Sequence, residues 1–217
     1  DLVRAVLAHG VELHAREGAP EAHDLALVRP RFAAALHGAL AETRTHAEVA
    51  ARLERMARLG IWAIGQPRYF WDAGDAWLGS LDEARVHRLQ PYREMLDAGV
   101  RFALSSDAPV ASYRPLDTVH SAVTRTTVGG QVIGADNALS VEEALRASTH
   151  DAAACYRVDD RLGTLEVGKL ADVVVLDGDP FSAAPERLGE IAVDMTLLGG
   201  EVVYEAARRS ATSDSIS

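Results

Sequence analysis

One cysteine, Cys155, stands among 217 residues, which excludes an intrachain disulfide framework and the paired-cysteine routes to zinc. Histidine and carboxylate remain as the available metal ligands, and a reducing, cytoplasmic setting is expected. Long hydrophobic runs are also missing. The longest are short segments such as Val173-Val174-Val175-Leu176, far below the roughly 20 residues that cross a bilayer, so no membrane partner is expected. Basic charge is scarce: 22 Lys and Arg against 32 Asp and Glu leave a formal charge of -10 and a pI near 5.2. A protein that neutralises phosphates needs a concentrated basic face, so nucleic acid is excluded as the main partner and small neutral or cationic substrates fit better. A starting methionine is lacking too. The chain opens at Asp1 in a helix-like pattern, and an N-terminal part, with any signal peptide, is expected to be absent.

What is present is a globular balance, 48% hydrophobic and 25% charged, enough for one domain or one and a half. From Asp1 to about Leu104 helical stretches alternate with short apolar runs, as consecutive βα units do. The first pair is Leu2 to Ala8 followed by Gly10 to His14. Next, Ala47 to Leu59 carries apolar residues at Val49, Leu53, Met56 and Leu59 and is closed by Gly60, ahead of a strand at Ile61 to Ile64. Residues 68 to 82, rich in Gly, Asp and aromatics, read as a loop. Pro91 then opens a helix over Tyr92 to Ala98, Gly99 ends it, and Val100 to Leu104 is the next strand. Beyond Pro115 a helix is predicted to about Thr126, and Ser140-Val141-Glu142-Glu143 is a capping box opening a helix to about Arg157. Residues 162 to 204 change character, with strands at Leu170 to Leu176, Ile191 to Leu198 and Glu201 to Tyr204 around a Gly199-Gly200 turn. The last dozen residues read as a disordered tail.

Parallel strands joined by helices carry their chemistry at the C-terminal strand ends. Asp107 follows a strand and precedes Ala108-Pro109, where the chain must leave the strand sharply. It reads either as a carboxylate pointing across the strand mouth or as a turn Asp capping its own backbone. His14 ends a strand, and His46 stands immediately before the Ala47 helix. Two imidazoles and a carboxylate converging from successive strand ends would suit a divalent ion such as zinc. His9, His23, His37, His87, His120 and His150 have no comparable placement and are assigned no role. The aromatic residues Tyr69, Phe70, Trp71 and Trp77 suggest an apolar pocket wall. Gly129-Gly130-Gln131-Val132-Ile133-Gly134 lacks a following Gly-Lys-Ser/Thr and reads as a flexible connection rather than a phosphate loop.

Three stretches carry a family resemblance: Ser105-Ser106-Asp107-Ala108-Pro109-Val110, the run Gly163-Thr164-Leu165-Glu166-Val167-Gly168-Lys169-Leu170-Ala171-Asp172 continuing to Asp177, and Met195-Thr196-Leu197-Leu198-Gly199-Gly200-Glu201-Val202-Val203-Tyr204. They resemble the C-terminal signatures of the amidohydrolase superfamily. More narrowly, the chain from Gln66-Pro67 to Tyr204 is similar to the amidohydrolase family 3 group that includes N-substituted formamide deformylases. The resemblance implies an α/β fold: the C-terminal half of a (β/α)₈ TIM-like barrel over residues 1–160, then part of a small β-sandwich over 161–206, with the tail at 207–217.

The same resemblance implies site roles. Asp107 matches the family's strand-eight Asp, a metal ligand and the base that activates water. His14, in Leu13-His14-Ala15, resembles the strand-five His, with Glu17-Gly18 where Gly-Asp is usual. His46, in Arg44-Thr45-His46-Ala47, resembles the strand-six His, although one residue is missing and the usual Glu is absent. The implied cofactor is a divalent metal, Zn²⁺, and the implied partner a small-molecule amide whose C–N bond is hydrolysed; a homo-oligomer is possible. Four strands cannot close an eight-stranded barrel. The alternative reading is therefore a truncated, non-catalytic amidohydrolase remnant that acts only as a folded or associating module.

Overall fold

The structure, a computed structural model, describes residues 46–207. The pair Leu2 to His14 and the tail after 207 lie outside the described residues, as does the side chain of His46. The described residues fall into two units, 46–63 with Pro91–Arg101 and Ile64–Gln90 with 102–207.

In the first unit, α1 (His46–Arg58) and α4 (Tyr92–Asp97) end by the same device. Gly60 N–H donates to Ala57 C=O and Ile61 N–H to Met56 C=O; Gly99 N–H donates to Leu96 C=O and Val100 N–H to Met95 C=O. These are the 5→2 and 6→1 bonds of a Schellman cap, which needs a left-handed residue, and the glycines supply it at φ 64 and 73. The stops predicted at Gly60 and Gly99 are thus present. The Arg101 guanidinium lies 4.7 Å from the Trp62 ring centre.

Strands β1 (Trp62–Gly65) and β2 (Arg101–Leu104) are neighbours in a two-stranded sheet, and in the second unit Ser105 N–H donates to Gly65 C=O at 2.8 Å. Phe102, Ala103 and Leu104 of β2 are buried. Between the strands lies a correction. The loop expected over 68 to 82 is instead a helix, α2 (Arg68–Ser80), followed by the single turn α3 (Glu83–Val86), whose start is capped by the Asp82 carboxylate. Helix-poor Gly74 and Gly79 suggested a loop. Yet Gly74 is buried and lets the helix approach Thr127 and Ile133 so closely that a Cβ there would meet Thr127 Cγ2 at 2.5 Å. An Arg68–Asp72 ion pair at 3.3 Å spans the first turn.

Helix α5 (Pro115–Thr124) begins with its proline, buries Leu116, Val119 and Ala122, and ends where Arg125 takes a left-handed conformation. Helix α6 (Val141–Ser148) has both bonds of the capping box predicted at Ser140 and Glu143. The helix expected to run unbroken to about Arg157 breaks at Thr149 (φ -123, ψ -87) and resumes as α7 (His150–Cys155). The turn at 126–132 is not a loose connection. Thr127 N–H donates to Gln131 C=O, and the Asp75 carboxylate accepts from Thr127 Oγ1 at 2.5 Å and from Gly129 N–H at 2.9 Å.

The last region forms an antiparallel sheet in the order β3-β4-β5, from β3 (Val173–Leu176), β4 (Val193–Leu198) and β5 (Glu201–Glu205). Strand β3 starts three residues later than expected. Leu198 pairs with Glu201 across the predicted glycine turn. A 3₁₀ helix, Pro185–Glu190, packs on α5 through fully buried Leu188. Among the described residues no helix is long and apolar enough to cross a membrane.

Candidate active site

Asp107 stands three residues beyond the buried strand β2, on an exposed turn. Its backbone is left-handed, φ 54, a conformation that Asp tolerates better than most residues but that still carries a cost. The two serines before it hold that geometry. Asp107 N–H donates to Ser105 Oγ at 3.1 Å and Ala108 N–H to Ser106 Oγ at 3.3 Å, while Val110 N–H closes the turn on Asp107 C=O at 2.9 Å. The serine hydroxyls therefore do the capping that the turn reading gave to the Asp107 side chain. The carboxylate is turned to another use, accepting the Tyr69 hydroxyl at Oδ2 at 2.5 Å.

Tyr69 is carried by the first turn of α2. Its N–H donates to Gln66 C=O and that of Phe70 to Pro67 C=O, so the chain leaving β1 is wound into helix at once. The phenol pKa is pushed up to about 12, first by the hydrogen bond to Asp107, then by burial and by the charges of Asp107 and Asp72. The hydroxyl is therefore protonated, and a donor, throughout the neutral range.

The aromatic residues around it divide. Phe70 is fully buried, its ring 4.1 Å from the Arg125 guanidinium carbon and edge-on to Trp77 at 6.0 Å, so it is core and not pocket wall. Arg125 is itself fully buried and donates from Nε to Ile133 C=O at 2.6 Å, from Nη2 to Leu89 C=O at 2.7 Å and from Nη1 to Gln90 C=O at 3.0 Å. Trp71 remains half-exposed, stacked by Arg68 at 5.3 Å and edge-on to His120 at 6.0 Å. Burial, then the Arg68 charge, lower the His120 pKa below 6.5, against the opposing pull of Asp117 and Glu186. Val110 and Tyr113, on the chain just beyond Asp107, expose 70% and 72% of their surfaces.

Of the sequence-predicted site residues, Asp107 alone has a described side chain; His14 and the His46 side chain lie outside the described residues. Among the described residues no group of three or more His, Cys, Asp or Glu could hold a metal ion. The Tyr69–Asp107 pair and the buried Arg125 were not foreseen. The usable signal for Tyr69 was its place just after a strand end, the same kind of place that singled out Asp107.

A family model described as the amidohydrolase family matches residues 9–204. The N-substituted formamide deformylase of Arthrobacter pascens is 37% identical over 153 residues, covering 70% of this chain and 28% of that protein. The imidazolonepropionase of Bacteroides thetaiotaomicron is 36% identical over 114 residues, 51% of this chain and 25% of that protein. Among solved structures, an uncharacterized metal-dependent hydrolase from Pyrococcus horikoshii OT3 superposes with a TM-score of 0.54 at 28% identity, over 62% of this chain and 28% of that one. The chain thus spans 28% and 25% of the two curated relatives' lengths.

Proposed function

This chain belongs to the amidohydrolase family, and from that premise we propose that it is the C-terminal part of a metal-dependent hydrolase that cleaves a non-peptide C–N amide bond of a small substrate, with Asp107 as the base. The observation that carries the reading is the Asp107 carboxylate itself. It is exposed beyond the end of β2 on a left-handed backbone held by two serine hydroxyls, and it is tethered by a protonated phenol. The match to a formamide deformylase over 70% of the chain supports the substrate class. The alternation of strand and helix from α1 to α5 supports part of a (β/α)₈ barrel, and the antiparallel sheet β3-β4-β5 supports part of a small β-sandwich.

The proposed metal ligands are Asp107, His14 and His46, for a divalent ion, zinc because two borderline imidazole nitrogens with one carboxylate are a ligand set it commonly takes. Of these, Asp107 lies among the described residues; its carboxylate is exposed and, with Tyr69 on Oδ2, keeps lone pairs that a metal and a water can both use. A divalent ion bound there supplies Lewis acidity, acidifying water and polarising the scissile carbonyl. Asp107 takes the proton of the attacking water and delivers it to the leaving nitrogen, which departs as a neutral amine.

The test is hydrolysis of a panel of N-substituted formamides and acylated amines by the protein expressed from its complete reading frame. Asp107→Asn is expected to lower kcat by about 10²- to 10⁴-fold with unchanged circular dichroism. A near-normal kcat in that variant removes Asp107 from the chemistry.

A further inference from the structure

We infer that Tyr69 is a positioning residue for Asp107: its hydroxyl, donating to Oδ2, sets the rotation of the carboxylate and leaves the second oxygen for the reacting water. The inference rests on the reading of Asp107 as the base.

An Asp on an exposed turn has a broad, nearly two-fold torsion at its carboxylate, so without a partner the oxygen that must meet the water sweeps through many orientations. A base needs its acceptor within about 10–20° of the productive direction. The turn fixes only the backbone of Asp107, through Ser105 Oγ, Ser106 Oγ and the Val110 N–H. Tyr69 Oη, 2.5 Å from Oδ2, fixes the rest. A hydroxyl donating to a carboxylate is a charge-assisted bond, stronger than one between neutral groups.

The donor sits on a rigid element. The first turn of α2 is locked by the bonds to Gln66 C=O and Pro67 C=O, and the next residue, Phe70, is clamped beneath the Arg125 guanidinium. The carboxylate, on its mobile torsion, is thus tied to the hydrogen-bonded first turn of a helix. The competing role, an aromatic wall for substrate, uses the ring and not the hydroxyl, so Phe would serve as well as Tyr.

Tyr69→Phe keeps the ring and removes the donor. In the protein from its complete reading frame it is expected to lower kcat about tenfold to a hundredfold. KM should stay within about threefold, because the hydroxyl acts on Asp107 and not on the substrate. Combined with Asp107→Asn it should cost nothing further, the two residues acting as one unit. A second readout needs no activity. In metal-free protein carrying ¹³Cζ-labelled tyrosine, the resonance that vanishes in Tyr69→Phe should shift in Asp107→Asn. A Tyr69→Phe enzyme with kcat within about twofold of wild type, or a Tyr69 resonance indifferent to Asp107→Asn, overturns the inference. A fully active Asp107→Asn enzyme instead overturns the assignment of the base, so the two failures are distinct.

Discussion

Replacing Arg125 by Met would test how much of the fold behind the site hangs on one buried cation. Met has a stem of similar length and apolar bulk, so little packing is lost. The left-handed backbone at φ 52 suits neither side chain better than the other, so its cost cancels. What disappears is the donor set. Ile133, Leu89 and Gln90 lose the guanidinium bonds at 2.6, 2.7 and 3.0 Å, and the Phe70 ring loses its cation at 4.1 Å. The buried Ile133 carbonyl left without that donor costs about 1–3 kcal/mol, the part-buried carbonyls of Leu89 and Gln90 about 1 kcal/mol each, and a desolvated cation–π contact about 2 kcal/mol. These terms overlap, because the neighbouring segments relax together and water can enter. We therefore expect a loss of about 4 kcal/mol, below the sum of the separate terms. For a chain of this size that is about 8–16 °C in Tm. Thermal and urea unfolding followed by circular dichroism would measure it, with Arg125→Lys falling between, since an ammonium lacks the planar fork that meets three carbonyls at once. A Met variant within about 1 kcal/mol of wild type would refute the reasoning.

Two further outcomes follow from the packing. Gly74→Ala is expected to destabilise by about 1–2 kcal/mol: Ala gains about 1 kcal/mol in helix propensity, but its Cβ would stand 2.5 Å from Thr127 Cγ2 and 3.1 Å from Ile133 Cδ1, and overpacking costs about 1–3 kcal/mol besides disturbing the Thr127–Asp75 bond. A raised urea midpoint would contradict this. His120, whose pKa is lowered from 6.5 by burial and by Arg68, binds its proton less readily when folded than when unfolded. Its contribution to stability is then full above pH 6.5 and is lost as the pH falls from there through the lowered folded value. Between about pH 7.5 and about pH 5, His120→Gln should lose less stability than wild type; an equal loss in both would show that His120 does not titrate as its surroundings imply.

Local features were legible where local chemistry decides them. Gly60 and Gly99 marked helix ends because a Schellman cap requires φ > 0, and the structure shows those bonds. Ser140 and Glu143 marked a helix start because the capping box closes within four residues. Gly199-Gly200 marked a turn and is one, both residues left-handed. Asp107 could be picked out as a strand-end carboxylate, since its place depends on the strand before it and the proline after it.

The features that escaped depend on partners far along the chain. Helix α2 looked like a loop because Gly74 and Gly79 disfavour helix locally; only the approach of Thr127 and Ile133 turns Gly74 into an asset. Arg125, by type a surface residue, is buried because carbonyls from Leu89, Gln90 and Ile133 converge on it. Phe70 read as a pocket wall and became core for the same reason. By itself the sequence determined the helix stops at Gly60 and Gly99, the helix start at Ser140 and the turn at Gly199-Gly200, all matters of backbone conformation settled within a few positions. Only the tertiary structure decided what Asp107 touches. Its partner Tyr69 lies 38 residues away, and a hydrogen bond across that separation exists only once β1 and β2 stand side by side.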